Sequence, residues 1–212
     1  MRVKVCGICR VEDAIAASDA GADAVGCLVG LNHASPDQIT AATARAVFSV
    51  LPPFVARVLV THKTTLGDVA DLVRETGATV VQLHGDFPLV AIPALREAVP
   101  HVSILKCVHV TGDEAIAAAG AAARVADALL LDTKARGRIG GTGKTHDWSI
   151  SARIVQSSSK PVILAGGLNP DNVAEAIARV RPYGVDANSG TRSTGGAKDH
   201  VKVRAFIANA RK

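Results

Sequence analysis

Short β-branched runs alternate along the chain with Ala-rich stretches of helical spacing, the pattern of a parallel sheet with helical crossovers. The apolar runs predict strands over 3–6, 24–29, 55–61, 79–83, 104–108, 128–132, 161–165 and 185–188. The stretches of period 3.6 predict helices over 11–20, 36–50, 65–75, 89–99, 113–124, 149–157, 172–181 and 200–210. Gly21, Gly77 and Gly184 stand where a helix would stop, a place for the left-handed residue that Gly adopts cheaply. Asp147 and Asp171 stand where a carboxylate could accept from the free N–H groups of a helix start.

Eight such units in 212 residues fit the lower end of the size range of an α/β protein folded as one (β/α)8 TIM barrel, residues 1–212 forming one domain. An open doubly wound sheet is the other arrangement this order allows. It would ordinarily place a Gly-rich turn after the first strand, and here that strand runs into Cys6-Gly7-Ile8-Cys9 without a G-x-G-x-x-G. No linker, low-complexity tract or charge block divides the chain.

With 48% hydrophobic and 20% charged residues the chain is globular in composition, but aromatics are only 3%. Its core must come from Val, Leu, Ile and Ala, and base-stacking platforms are not expected. Lys and Arg number 24 against 19 Asp and Glu, scattered rather than clustered, which suits an anionic metabolite and offers no basic stripe for nucleic acid. No long uncharged apolar run and no charged-then-apolar leader occur, so the expectation is a cytoplasmic protein without membrane association. Four cysteines, three of them inside apolar runs, do not make a disulfide framework.

In a barrel of this kind the C-terminal strand ends share one rim, where chemistry takes place. Here they carry Cys6, the Leu31-Asn32-His33 segment, His62, His84, His109, Asp132, Gly166-Gly167 and the stretch from Asp186 to Gly190. Backbone N–H groups of the last two loops are suited to phosphate, which points to Gly166, Gly167, Ser189 and Gly190. A third glycine cluster, around Gly141, could cover the site.

Lys4-Val5-Cys6-Gly7-Ile8, Val81-Gln82-Leu83-His84-Gly85, Leu130-Leu131-Asp132-Thr133 with Gly140-Gly141-Thr142-Gly143 and Asp147-Trp148, and Leu164-Ala165-Gly166-Gly167-Leu168 resemble the phosphoribosylanthranilate isomerase family of tryptophan biosynthesis. Val185-Asp186, Ser189-Gly190 and Lys198-Asp199 continue the resemblance to the end of the chain. It implies a (β/α)8 barrel that performs an Amadori rearrangement without metal or cofactor, as a monomer or homodimer. Cys6 then corresponds to the general base and Asp132 to the general acid, with His84, Asp186 and Gly141 at substrate-contacting positions. The residue types suit the steps: a protonated carboxyl opens the aminoribose ring, and a thiolate lowered by nearby positive charge takes the C2′ proton.

The chain departs from the family after the second strand, where a Lys-Ser-x-Arg segment is usual and Leu31-Asn32-His33-Ala34-Ser35 stands instead. His33 is the only candidate cation in that loop for an aromatic carboxylate. Otherwise Arg10, Lys63, Lys134, Arg136 or Arg138 must reach in from elsewhere. Two alternatives therefore stand beside the main reading: an Amadori-type isomerase of another phosphoribosylamine or related sugar phosphate, and a catalytically silent phosphate-binding barrel. Cys6 and Cys9 form a C-x-x-C without a second such pair, so no metal site is expected there. Cys27 and Cys107 are expected in the core, and His62, His109, His101 and His200 as rim or surface residues.

Overall fold

The computed structural model describes residues 1–135, 138–139 and 146–212, with side-chain surroundings given outside 134–145. Eight parallel strands close on themselves: β1 (Arg2–Cys6), β2 (Ala24–Leu28), β3 (Ala56–Thr61), β4 (Val80–Leu83), β5 (Ser103–Val110), β6 (Ala128–Ala135), β8 (Val162–Leu164) and β9 (Gly184–Ala187). Pairing of β5 with β6 and of β1 with β9 completes the ring. The short β7 (Arg138–Ile139) lies outside it, antiparallel to the end of β6. Helices α1 (Val11–Asp19), α2 (Ala41–Ser49), α3 (Leu66–Thr76), α4 (Ile92–Ala98), α5 (Glu114–Ala123), α6 (Trp148–Ser157), α7 (Val173–Val180) and α8 (His200–Ala210) link the strands and follow the last one.

Strand alternation divides the residues between two cores. Outward-facing Val3, Val5, Val25, Leu59, Val81, Leu129 and Val185 pack beneath the helices in one large cluster. Inside the ring, Cys6, Leu28, Val58 and Val60 form one cluster, and Leu105, Cys107, Leu130 and Ala165 another. Cys27 is core as expected, its thiol donating to Ile8 O. Cys107 is equally buried, but on the inner face of the barrel.

Three local expectations are corrected. The helix expected over 36–50 begins only at Ala41, because Gln38 bridges to Leu28 and Thr40 accepts from Thr43 N–H as the N-cap. Gly184 opens β9 rather than ending α7, where Arg181 itself takes the left-handed conformation. Asp171 caps nothing: Asn172 is the N-cap residue of α7. Asp147 does cap α6, accepting from Ser149 N–H, and Gly77 ends α3 at φ +70°.

Candidate active site

The inner face of β1 presents Lys4 and, two residues on, Cys6 at the C-terminal rim. Lys4 Nζ donates to Asp186 Oδ2 on β9 at 2.7 Å, both groups buried. Burial disfavours the Lys4 charge, but the Asp186 carboxylate outweighs it and holds the ammonium firmly protonated. Gly26 on β2 makes room for this pair. A Cβ there would lie 2.9 Å from Cys6 Sγ and 3.0 Å from Lys4 Cε.

Burial pushes the Cys6 thiol up, while the Lys4 and Lys198 ammoniums oppose it. The net direction is upward, contrary to the lowered thiol expected from sequence, because the pocket wall removes more hydration than the two cations restore. Lys198 reaches this place from the end of the chain, donating to Asn188 O at 2.8 Å and Asn188 Oδ1 at 2.9 Å. Cys9 points elsewhere, toward Gly7 O and Asp37 O.

Asp132 faces the same space from β6. Its Oδ2 lies 3.4 Å from His84 Nε2, and its Oδ1 accepts from Thr133 N–H at 2.7 Å. Burial works to raise the carboxyl, but His84 and the Thr133 N–H prevail and hold it below the ordinary range. His84 is correspondingly held well above its own, since Cys107 and Asp132 overcome its burial. The proton of the pair thus resides on imidazole, whereas a protonated Asp132 was expected. Gln82 Nε2 stands 2.9 Å from His84 Nδ1, and Gln82 Oε1 is buried without a partner among the described residues. With the amide turned about, Oε1 would accept from Nδ1–H of an imidazolium and satisfy both groups.

Four imidazoles run along this wall. His33 and His62 have ring centroids 5.2 Å apart, His62 and His84 are stacked at 5.4 Å, and His84 meets His109 edge-on at 5.3 Å. Burial and the neighbouring imidazoles bring His62 down to about 4, leaving it neutral near pH 7. Asn32 Oδ1 lies 2.7 Å from His62 Nδ1 and 3.1 Å from His33 Nδ1, tying the exposed His33 to the wall.

Cys6, His33, His62, His84, Asp132 and Asp186 line a cavity of about 790 Å³. Asp186 Oδ1, the oxygen not used by Lys4, is buried there without a partner among the described residues. Gly166 and Gly167, both at positive φ, line the cavity with Ser189, Gly166 so near Asp132 that a Cβ on it would come 3.0 Å from Asp132 Oδ1. Gly190 lies behind them: a Cβ on it would come within 2.0 Å of Leu168 O, so its role is to let the two loops approach. Arg192 completes the wall and pairs with the buried Asp37 of the loop after β2, which also accepts from Asn188 Nδ2.

Residues 3–209 match the sequence profile described as N-(5'phosphoribosyl)anthranilate (PRA) isomerase. The chain belongs to the phosphoribosylanthranilate isomerase family. N-(5'-phosphoribosyl)anthranilate isomerase 2 of Methanosarcina mazei is 48% identical over all of this chain and 94% of its own length. The corresponding protein of Methanocella arvoryzae is 49% identical over 99% of this chain and 98% of its own length. The phosphoribosylanthranilate isomerase structure from Thermotoga maritima superposes with a TM-score of 0.87 at 37% identity, covering 100% of this chain and 98% of that one. A further structure of this family, in complex with reduced 1-(o-carboxyphenylamino)-1-deoxyribulose 5-phosphate, gives 0.84 at 34% identity, covering 100% and 98%.

In this family member the barrel brings Cys6, His33, His84, Asp132, Gly166, Gly167, Asp186 and Ser189 to one cavity wall. Gly190 supports that wall from behind, and Gly141 lies outside the described residues. Sequence reasoning passed over Lys4 and Arg192 and left Lys198 without a role. Lys4 carried a usable signal, its two-residue spacing from Cys6 on a strand. Arg192 carried none, since only folding brings the loop after β9 against the loop after β2. His62 and His109 stand at the rim and join the imidazole row there. Arg10 is engaged with Asp13, and Lys63 with Asp68.

Proposed function

We infer that this chain catalyses the Amadori rearrangement of N-(5-phosphoribosyl)anthranilate to 1-(o-carboxyphenylamino)-1-deoxyribulose 5-phosphate, with Asp132 as general acid and Cys6 as general base. The observation that carries this reading is that a carboxyl with its own proton partner and a thiol flanked by two ammoniums face one cavity. A binding barrel needs neither group.

The proton that His84 holds beside Asp132 is relayed through the carboxyl to the furanose ring oxygen as the C1′–O bond breaks and the amine nitrogen forms an iminium, leaving His84 neutral. The iminium acidifies C2′ and places a positive charge near Cys6, which adds to Lys4 and Lys198 in favouring the thiolate. The Cys6 thiol gives up its proton to solvent as the iminium forms, the thiolate takes the C2′ proton, and the resulting enolamine tautomerises to the ketone. Asp186 Oδ1 is the acceptor for a sugar hydroxyl. The phosphate lies against the Gly166, Gly167 and Ser189 backbone, where Gly at positive φ allows close approach.

The anthranilate carboxylate falls at the rim with His33, and Arg192 is a second cation on the wall. The whole chain acts as one barrel domain on a small anionic substrate, and its four free cysteines suit the reducing cytoplasm. Among the described residues no helix is long and apolar enough to cross a membrane. Incubating the purified protein with phosphoribosylanthranilate and following the fluorescence of the aromatic ring tests the reading. Turnover supports it, and inertness toward this substrate with activity on another phosphoribosylamine would replace it.

A further inference from the structure

The inner face holds a second constellation beside the acid. His84 on the rim of β4, and Cys107 and His109 two residues apart on β5, place one donor atom each within 4.8 Å of one another. Two-residue spacing on a strand turns Cys107 and His109 to the same face, and Cys107 Sγ lies 4.0 Å from His109 Nδ1. On β6, Asp132 is the register partner of His109. Two imidazoles, a thiol and a neighbouring carboxylate are the donor set of a borderline-soft divalent cation rather than of calcium or magnesium.

We propose that His84, Cys107 and His109 form a binding site for one zinc-class ion, open on its fourth side to Asp132 and the cavity, and that occupancy reversibly inhibits the enzyme. The three donors need to draw in by about an ångström to reach ordinary Zn–N and Zn–S lengths, a side-chain adjustment on fixed strands. Binding displaces the Cys107 thiol proton to solvent, and the thiolate so formed is the softest of the three ligands. His84 lines the cavity, which gives the ion its entry. An ion held beside Asp132 draws that carboxylate toward itself, so Asp132 is withdrawn from the ring oxygen it must protonate. This inhibitory part rests on the proposed isomerase activity, whereas the site itself does not. The site uses neither cysteine of the Cys6-x-x-Cys9 pair.

The test begins with chelator-treated protein dialysed against Zn²⁺ and assayed for bound metal. One ion per chain is expected for the wild type, with affinity at least about tenfold weaker in Cys107→Ala and in His109→Asn. Co²⁺ in place of Zn²⁺ should give a thiolate charge-transfer band that survives Cys6→Ser and disappears in Cys107→Ser. Circular dichroism of each variant separates lost ligation from lost fold. In the isomerase assay, Zn²⁺ should inhibit the wild type, reversibly by chelator, and inhibit Cys107→Ala much less relative to its own metal-free rate. Absence of stoichiometric metal, or a cobalt band lost with Cys6 and kept without Cys107, overturns the site. Stoichiometric binding without inhibition overturns only the regulatory part, and a protein inactive on phosphoribosylanthranilate that still binds one ion counts against the function alone.

Discussion

His84 Nε2 stands 3.4 Å from Asp132 Oδ2, a pairing that holds the imidazole above its ordinary range and the carboxyl below its own. Asp132→Asn keeps the shape of the pair and removes the carboxyl through which the His84 proton reaches the substrate. Its kcat is expected to fall at least about a hundredfold with little change in KM, and His84→Ala to cost at least about tenfold. Steady-state kinetics read by ring fluorescence give both values. Rates like the wild type in Asp132→Asn would remove it from the chemistry.

Lys4 bears on Cys6 as Asp132's partner bears on the acid. Lys4→Met withdraws an ammonium that favours the thiolate, so the thiol rises further and the basic-side rise in kcat moves to higher pH. It also leaves Asp186 buried and unpaired, a loss of about 3–5 kcal/mol by urea unfolding. The double variant Lys4→Met with Asp186→Asn should recover much of that stability but not the pH profile. An unshifted profile in Lys4→Met would show that the two ammoniums do not tune the base.

Phosphate recognition is checked at Gly167, whose φ of +73° strains any side chain. Gly167→Ala is expected to weaken competitive inhibition by inorganic phosphate at least about tenfold, because the N–H groups lose their approach to the anion. Unchanged inhibition would move the phosphate to another wall.

His33 is the candidate for the substrate carboxylate. His33→Ala should raise KM for phosphoribosylanthranilate while phosphate inhibition stays the same, and His33→Arg should keep or improve turnover. If neither variant changes KM, Arg192 on the facing wall takes over the assignment.

A different carboxylate carries the acid sensitivity of the fold. Asp13 on α1 accepts from Arg10 and lies 2.9 Å from His200 Nε2 at the start of α8, joining the first and last helices. Burial tends to raise Asp13, but these partners and the Lys198 N–H hold it below the usual carboxylate range. A lowered folded-state value stabilises the protein above the unfolded pKa of about 3.9 and is lost as pH falls through the folded value. Asp13→Asn should lower the urea midpoint near neutral pH and lessen its further fall in acid. Parallel midpoint curves for the two proteins would contradict this.

The barrel was legible because its signals are periodic: β-branched runs and Ala-rich helices recur eight times, and Cys6, Asp132 and the paired glycines sit at strand ends. Helix limits were less so. The segment before Ala41 has helical composition, yet a bridge from Gln38 to Leu28 claims it. Protonation was not legible either, since sequence names Cys6 and Asp132 but not the balance between burial and Lys4, Lys198 or His84. The sequence brought His33, His62, His84 and His109 to one rim, but the stacking of their rings was not legible, because four separate segments set it.

The pairing of β1 with β9 sets an order on how activity is acquired during synthesis. Arg2 aligns with Gly184 and Lys4 with Asp186, so the ring cannot close until nearly the whole polypeptide has left the ribosome. A nascent chain ending before Asp186 would hold Lys4 against an apolar interior with no counter-charge, which disfavours premature compaction around the first strand. The contact that seals the cylinder, bridging 182 positions, also furnishes the field around the thiol. Completion of the fold and competence for proton abstraction thus arrive in a single event.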